Sequence, residues 1–145
     1  AKKQGLKNVQ IAQYDAEDSL PFADETFDVV LLDAPCSGTG TIRHNPEIRY
    51  HLRENDFSEL SAKQLKILQN ASKILKPGGR LIYSTCSLEK EENEEVMENF
   101  LRRNVEFSII RNDFYADFSD ETGYARTFPH RDEMDGFFIA TLKKS

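Results

Sequence analysis

A chain of 145 residues, 39% hydrophobic and 30% charged, fits one compact domain and is too long for a peptide module with no core. Its net charge of −6 argues against a nucleic-acid surface built from charge alone, although a local basic field can persist on an acidic protein. Two cysteines, Cys36 and Cys86, are too few for a disulfide framework or a sulfur-rich zinc site, and the three histidines do not fall at ligand spacing, so free thiols and no metal are expected. The opening Ala1-Lys2-Lys3-Gln4-Gly5 leads into no apolar segment and no run of 18 apolar residues occurs, which predicts a cytoplasmic protein with no membrane partner.

Asn8 to Tyr14 reads as a short strand through Val9 and Ile11, ending at Asp15. Pro21 and Ala23-Asp24-Glu25 mark a loop. Phe27-Asp28-Val29-Val30-Leu31-Leu32-Asp33 is a continuous apolar run closing on an acid, the pattern of a strand buried on both faces of a parallel sheet. Asp56 with Glu59 three residues later predicts a capped helix start, and Leu60, Ile67, Leu68, Ala71, Ile74 and Leu75 recur at helical spacing until Lys76-Pro77-Gly78-Gly79. Arg80 to Ser84 is a second buried strand. The acid-rich run from Glu89 opens another helix, with Val96, Met97, Phe100 and Leu101 on its apolar face. Val105–Ile110 and Gly136–Leu142 supply two more strands, with Lys143-Lys144-Ser145 expected to fray. Strands alternating with helices imply a parallel-type α/β sheet, with ligands at the carboxyl ends of the strands.

The chemistry-bearing segments sit at those ends. Asp33-Ala34-Pro35-Cys36-Ser37-Gly38-Thr39-Gly40 places an acid, a stiffened turn, a thiol and two glycines directly after a buried strand. Tyr83-Ser84-Thr85-Cys86-Ser87 places a second thiol at the same end of the next. If the two strands are parallel neighbours, both thiols enter one cleft. Either cysteine alone reads as an inert small hydrophobe. The pair at matched positions, with Asp33 beside it, reads as covalent chemistry, and Cys86 just ahead of a helix start is placed for activation. Arg43, His44, Arg49, His51 and Arg53 suit phosphates near a flipped-out base, or a solvated loop. Pro46 and Tyr50 stiffen that stretch or stack on a base, and Arg126 to His130 form a second contact of that kind or a surface loop.

These two segments resemble the signature motifs of the Sun (Fmu) family of RNA 5-methylcytosine methyltransferases. Leu75-Lys76-Pro77-Gly78-Gly79, Glu91-Glu92-Asn93-Glu94, Arg126-Thr127-Phe128-Pro129-His130 and Asp135-Gly136-Phe137-Phe138-Ile139-Ala140 extend the resemblance over nearly the whole chain. It implies an α/β, class I (Rossmann-like) methyltransferase fold with S-adenosylmethionine as cofactor and ribosomal or transfer RNA as partner. It implies Cys86 as the thiolate that adds to carbon 6 of cytosine, Cys36 as the residue that resolves the adduct, and Asp33 as the acid holding the cytosine edge near the methyl donor. On the same ground Asp15, Asp33 and Pro35 belong to the cofactor site, Asp15 meeting the adenine amino group, and Arg43, His44 and Arg49 to the RNA site. A loop-capping role for Asp15 fits the residues equally.

Such folds hold the donor with a glycine-rich turn after the first strand and an acid after the second. Neither occurs here, so residues 1–145 are expected to form a single partial domain, with both features upstream and two strands falling between those at Val9 and Val29. The isolated chain is then expected to bind cofactor weakly or not at all and not to turn over. Two alternatives stand: a catalytically inert RNA scaffold, and an amino-methyltransferase, whose acid-proline-proline-aromatic turn is not matched by Cys36 after Pro35.

Overall fold

The computed structural model describes residues 7–145, so the opening Ala1 to Gly5 lies outside the described residues. The strands are β1 (Phe27–Asp33), β2 (Leu75–Thr85), β3 (Phe107–Ile109), β4 (Ala125–Thr127) and β5 (Phe137–Lys144). The helices are α1 (Ile48–His51), α2 (Glu54–Lys73), α3 (Glu94–Arg103) and α4 (Pro129–Asp132). The sheet runs β1-β2-β5-β3, with β4 also paired to β5.

Only β1 and β2 pair in parallel; β5 is antiparallel to β2, β3 and β4. The expected parallel-type sheet is therefore a mixed one. Helical crossovers through α2 and α3 keep β1, β2 and β3 pointing the same way, as parallel connections require. The last strand then inserts between β2 and β3 in the opposite sense, a pairing that alternation of elements along the chain does not reveal.

Alternation along β1 sends Val30 and Leu32 into the core and leaves Val29 and Leu31 46% and 67% exposed. β1 is thus not buried on both faces, and it forms an edge of the sheet among the described residues. The core gathers Leu68 and Ala71 of α2, Val96, Met97 and Phe100 of α3, Leu75, Leu81 and Tyr83 of β2, and Phe138, Ala140 and Leu142 of β5. Phe100 meets Phe107 edge-on at 5.1 Å, and Tyr83 meets Phe138 at 6.3 Å, geometries the aromatic quadrupole favours.

Several boundaries differ from the sequence reading. α2 starts at Glu54 rather than at Asp56; Asp56 lies in the first turn, where its Oδ2 accepts the Arg53 N–H at 2.8 Å. Leu75, expected in that helix, opens β2. α3 begins at Glu94, after a 3-10 turn over Lys90–Glu92. β5 continues to Lys144, whose Nζ donates to the Leu75 carbonyl at 2.8 Å, so this end does not fray.

Asn8 to Tyr14 is not a strand: Val9 is 46% and Ile11 83% exposed, with no partner strand alongside among the described residues. An unpaired strand leaves its backbone groups to water and gains nothing from alternation. The turn that follows is nonetheless fixed. Asn70 of α2 donates to the carbonyls of Ala16, Glu17 and Asp18 at 2.9–3.1 Å, and Lys63 pairs with Glu17 at 2.7 Å. No helix among the described residues is long and apolar enough to cross a membrane.

Candidate active site

Parallel pairing places Asp33 of β1 opposite Ser84 of β2, and the two chains continue together beyond the sheet. The Ala34 N–H donates to the Ser84 carbonyl, and the Gly40 N–H to the Cys86 carbonyl, both at 2.9 Å. This zipping brings the Cys36 and Cys86 sulfurs to 3.3 Å, across fifty positions of sequence. Both are free thiols of intermediate exposure.

Two glycines make the approach possible. Gly38 adopts a left-handed φ of 74°, which turns the loop after Cys36. Gly40 lies against Gly136 ahead of β5, where the Gly136 N–H donates to the Gly40 carbonyl at 2.9 Å. A Cβ on Gly40 would stand 2.2 Å from the Gly136 oxygen. Bare backbone is the only thing that fits.

Cys36 is held as a neutral thiol. Burial pushes it up to about 12, the neighbouring Cys86 adds to the rise, and the N–H groups of Gly38 and Cys86 oppose it. A protonated sulfur therefore faces Cys86 at neutral pH, able to donate to a thiolate there. The folded chain keeps this proton above pH 9.0, where an ordinary thiol has lost it. The associated stability is present below that pH and is lost as pH rises toward 12. Denaturant melts should show stability falling across this window, and falling less steeply in Cys36→Ala; Tyr124, which burial also raises to about 12, contributes equally to both proteins. Identical slopes would contradict the assignment.

Asp33 is exposed at the mouth of the site, its Oδ1 accepting the Ser84 hydroxyl at 3.1 Å and its carboxylate keeping further acceptor capacity. Pro35 is exposed, and its carbonyl accepts from Gln64 Nε2 at 2.8 Å. A cleft of about 510 Å³ opens beside Cys36 and Ser37, walled by Ile48, Leu52 and Leu60 and rimmed by His51, Asp56 and Lys63. From the basic stretch only His51 lines this cleft. Arg43 reaches the Glu133 carbonyl at 3.5 Å, His44 lies 3.3 Å from Asp135, and Arg49 stacks on Tyr50 at 5.2 Å. Asp15 is exposed at its docked turn, where its Oδ1 accepts the Glu17 N–H at 3.0 Å. That contact is the loop-capping one, and it leaves the carboxylate open to solvent.

Arg126 is no open RNA contact. Its guanidinium bonds Glu94 at 2.6 Å and the Leu88 carbonyl at 2.9 Å, and lies over the Phe128 and Phe138 rings at 5.3 and 5.6 Å. It clasps β4 to the turn after Cys86.

Sequence reasoning missed the polar core beneath the thiols. Glu92 and Asn93 are fully buried. Asn93 accepts from Thr85 Oγ1 at 2.6 Å and donates to the Ser87 carbonyl at 2.9 Å. The Glu92 carboxylate collects Ser37, Ser87 and Gln64, and its carbonyl accepts the Tyr83 hydroxyl at 2.6 Å. Glu91-Glu92-Asn93-Glu94 was legible as acids suited to a helix start and as part of the family resemblance, but neither reading buries Glu92 or Asn93. The available signal was the pair of serines after the cysteines, Ser37 and Ser87, small donors in need of an acceptor.

A family model described as 16S rRNA methyltransferase RsmB/F matches residues 1–143. Ribosomal RNA small subunit methyltransferase B of Xanthomonas campestris pv. campestris is 40% identical over 141 residues, covering 96% of this chain and 32% of that protein. The crystal structure of PH0851 matches with a TM-score of 0.92 at 42% identity, covering 99% of this chain and 32% of that one. The structure of NSun6 from Pyrococcus horikoshii with SFG matches with a TM-score of 0.82 at 30% identity, covering 99% and 36%. The chain thus spans about a third of the length of these relatives.

Proposed function

Because the chain belongs to the 16S rRNA methyltransferase RsmB/F family, with the mixed α/β sheet of part of a Rossmann-like methyltransferase domain, we propose that it carries the catalytic thiols of an RNA cytosine-5 methyltransferase. The observation that carries this reading is the 3.3 Å contact between the Cys36 and Cys86 sulfurs beside Asp33. The names of the relatives point to small-subunit ribosomal RNA as substrate. Residues 1–145 are read as part of one domain, and the exposed edge of β1 offers its backbone to further strands.

Carbon 5 of cytosine is a poor nucleophile. When the Cys86 thiolate adds to carbon 6, the sulfur–carbon bond pushes electrons toward carbon 5, which then attacks an electrophilic methyl group. S-adenosylmethionine, when bound, supplies that methyl. The exposed carboxylates of Asp33 and Asp15, both with acceptor capacity to spare, fit the amino groups such a donor and a cytosine present, and Pro35 stiffens the turn that carries Asp33. Transfer of the carbon 5 proton to water leaves its bonding pair to re-form the carbon 5–carbon 6 double bond as the carbon 6–sulfur bond breaks, and that bond's electron pair returns to Cys86 as thiolate. Cys36, a neutral thiol in contact with that sulfur, hydrogen-bonds the departing thiolate and assists its release. Arg43, His44 and Arg49 stand on the exposed surface around the loop after Cys36, where phosphates of a substrate strand would pass.

The test is a mechanism-based trap. RNA containing 5-azacytidine should cross-link to the intact enzyme, and peptide mapping should place the bond on Cys86. A cross-link on Cys36, or none while methylation proceeds, would overturn the assignment.

A further inference from the structure

We propose that Glu92 is a positioning residue: its buried carboxylate clamps the Cys36 loop to the Cys86 loop and so sets the distance between the two sulfurs. This inference rests on the two-thiol reading for its catalytic meaning, and on geometry alone for its mechanical one.

Glu92 is fully buried at the end of the 3-10 turn before α3. Its Oε2 accepts the Ser37 N–H and Gln64 Nε2, both at 2.9 Å. Its Oε1 accepts the Ser87 hydroxyl at 2.7 Å and the Ser37 hydroxyl. Four donors thus fill the four acceptor sites of a carboxylate, and they come from three separate pieces of chain. Ser37 directly follows Cys36, and Ser87 directly follows Cys86, so each sulfur is one residue from an arm of the clamp. Gln64 also donates to the Pro35 carbonyl at 2.8 Å, which fixes the residue on the other side of Cys36. The two loops share one direct backbone bond at the site, Gly40 N–H to the Cys86 carbonyl. The Leu88 N–H also donates to Thr39 Oγ1 at 2.9 Å and the Ser37 and Ser87 hydroxyls lie 3.2 Å apart, and from below the carboxylate bonds both of those serines, the residues next to the two sulfurs.

Glu92→Gln keeps the volume and can keep its oxygen on the Ser37 N–H and Gln64 Nε2, but its NH2 must then donate to the Ser37 and Ser87 hydroxyls, which turn their own protons away, and the charge-assisted bonds to both loops are lost. A merely structural role would lower stability and leave the relation between the thiols unchanged.

The experiment uses the intact protein and two readouts. The first is the rate at which oxidised glutathione converts Cys36 and Cys86 to a disulfide: both thiols are oxidised, and one glutathione disulfide is reduced to two glutathione thiols. Glu92→Gln should slow this at least tenfold relative to alkylation of either thiol, and Ser37→Ala, which removes one arm only, should slow it less. The second is the ratio of protein–RNA adduct to methylated product, which should rise in Glu92→Gln toward that of Cys36→Ser. An unchanged disulfide rate in folded Glu92→Gln and in Ser37→Ala overturns the proposal, whatever the RNA chemistry. A slowed disulfide rate with no protein–RNA adduct in any variant instead sustains the clamp and rejects the covalent reading. Should Glu92→Gln fail to fold, Ser37→Ala and Ser87→Ala carry the same comparison.

Discussion

Replacing Cys36 by serine in the intact enzyme should leave it covalently attached to ordinary RNA, with turnover reduced by about 10³-fold or more, a loss typical of removing one member of a concerted catalytic group. The reason is the separation of roles that the geometry allows. Cys86 forms the bond to carbon 6, whereas Cys36, at 3.3 Å and held protonated, acts on that sulfur when the bond must break. A serine hydroxyl at position 36 is a shorter and less polarisable partner, so addition and methyl transfer proceed while release stalls. Cys86→Ser should give neither adduct nor product. The two variants are compared by denaturing gel and by incorporation of labelled methyl. Equal behaviour of the two, or RNA binding unchanged by either substitution with neither adduct nor methylation in any form, as an inert scaffold requires, would reject the roles.

A second large effect is expected at Gly40, far less conspicuous than the cysteines. A Cβ there would stand 2.2 Å from the Gly136 carbonyl oxygen and 2.7 Å from its carbon, so neither backbone can yield without moving the start of β5. Gly40→Ala should destabilise the protein by roughly 2–3 kcal/mol, the upper range for overpacking a close-packed interior. It should also depress activity beyond what stability explains, because the same residue bonds the Cys86 carbonyl. Gly78→Ala is the control: its Cβ meets nothing within 4 Å, and its cost is confined to the backbone strain of φ 76°. If both variants lose activity in proportion to stability alone, the Gly40 contact is not part of the site.

The site was legible where local pattern and topology coincide. Two apolar strands, each followed within three residues by a cysteine, fix the convergence of the thiols once the strands are parallel neighbours, as β1 and β2 are. Asp33 at the strand end followed from the same logic. What escaped depends on through-space neighbours. The burial of Glu92 is invisible in an acid-rich run in which Glu91 and Glu95 are exposed and Glu89 and Glu94 are half-buried. Arg126 reads as a surface cation until its partners Glu94, Leu88, Phe128 and Phe138 are assembled around it. Asn8 to Tyr14 has the alternation of a strand without the neighbour a strand requires, and β5 carries no local mark of its direction.

The covalent reading requires the two sulfurs to lie in contact, as they do at 3.3 Å. A trivalent phenylarsenical bridges only thiols held near each other, so it tests this directly in solution. The native protein should bind one arsenical with loss of both thiols, and Cys36→Ser or Cys86→Ser should abolish tight binding equally. Separate, independent reaction of each cysteine, with affinity unchanged by either substitution, would contradict the account.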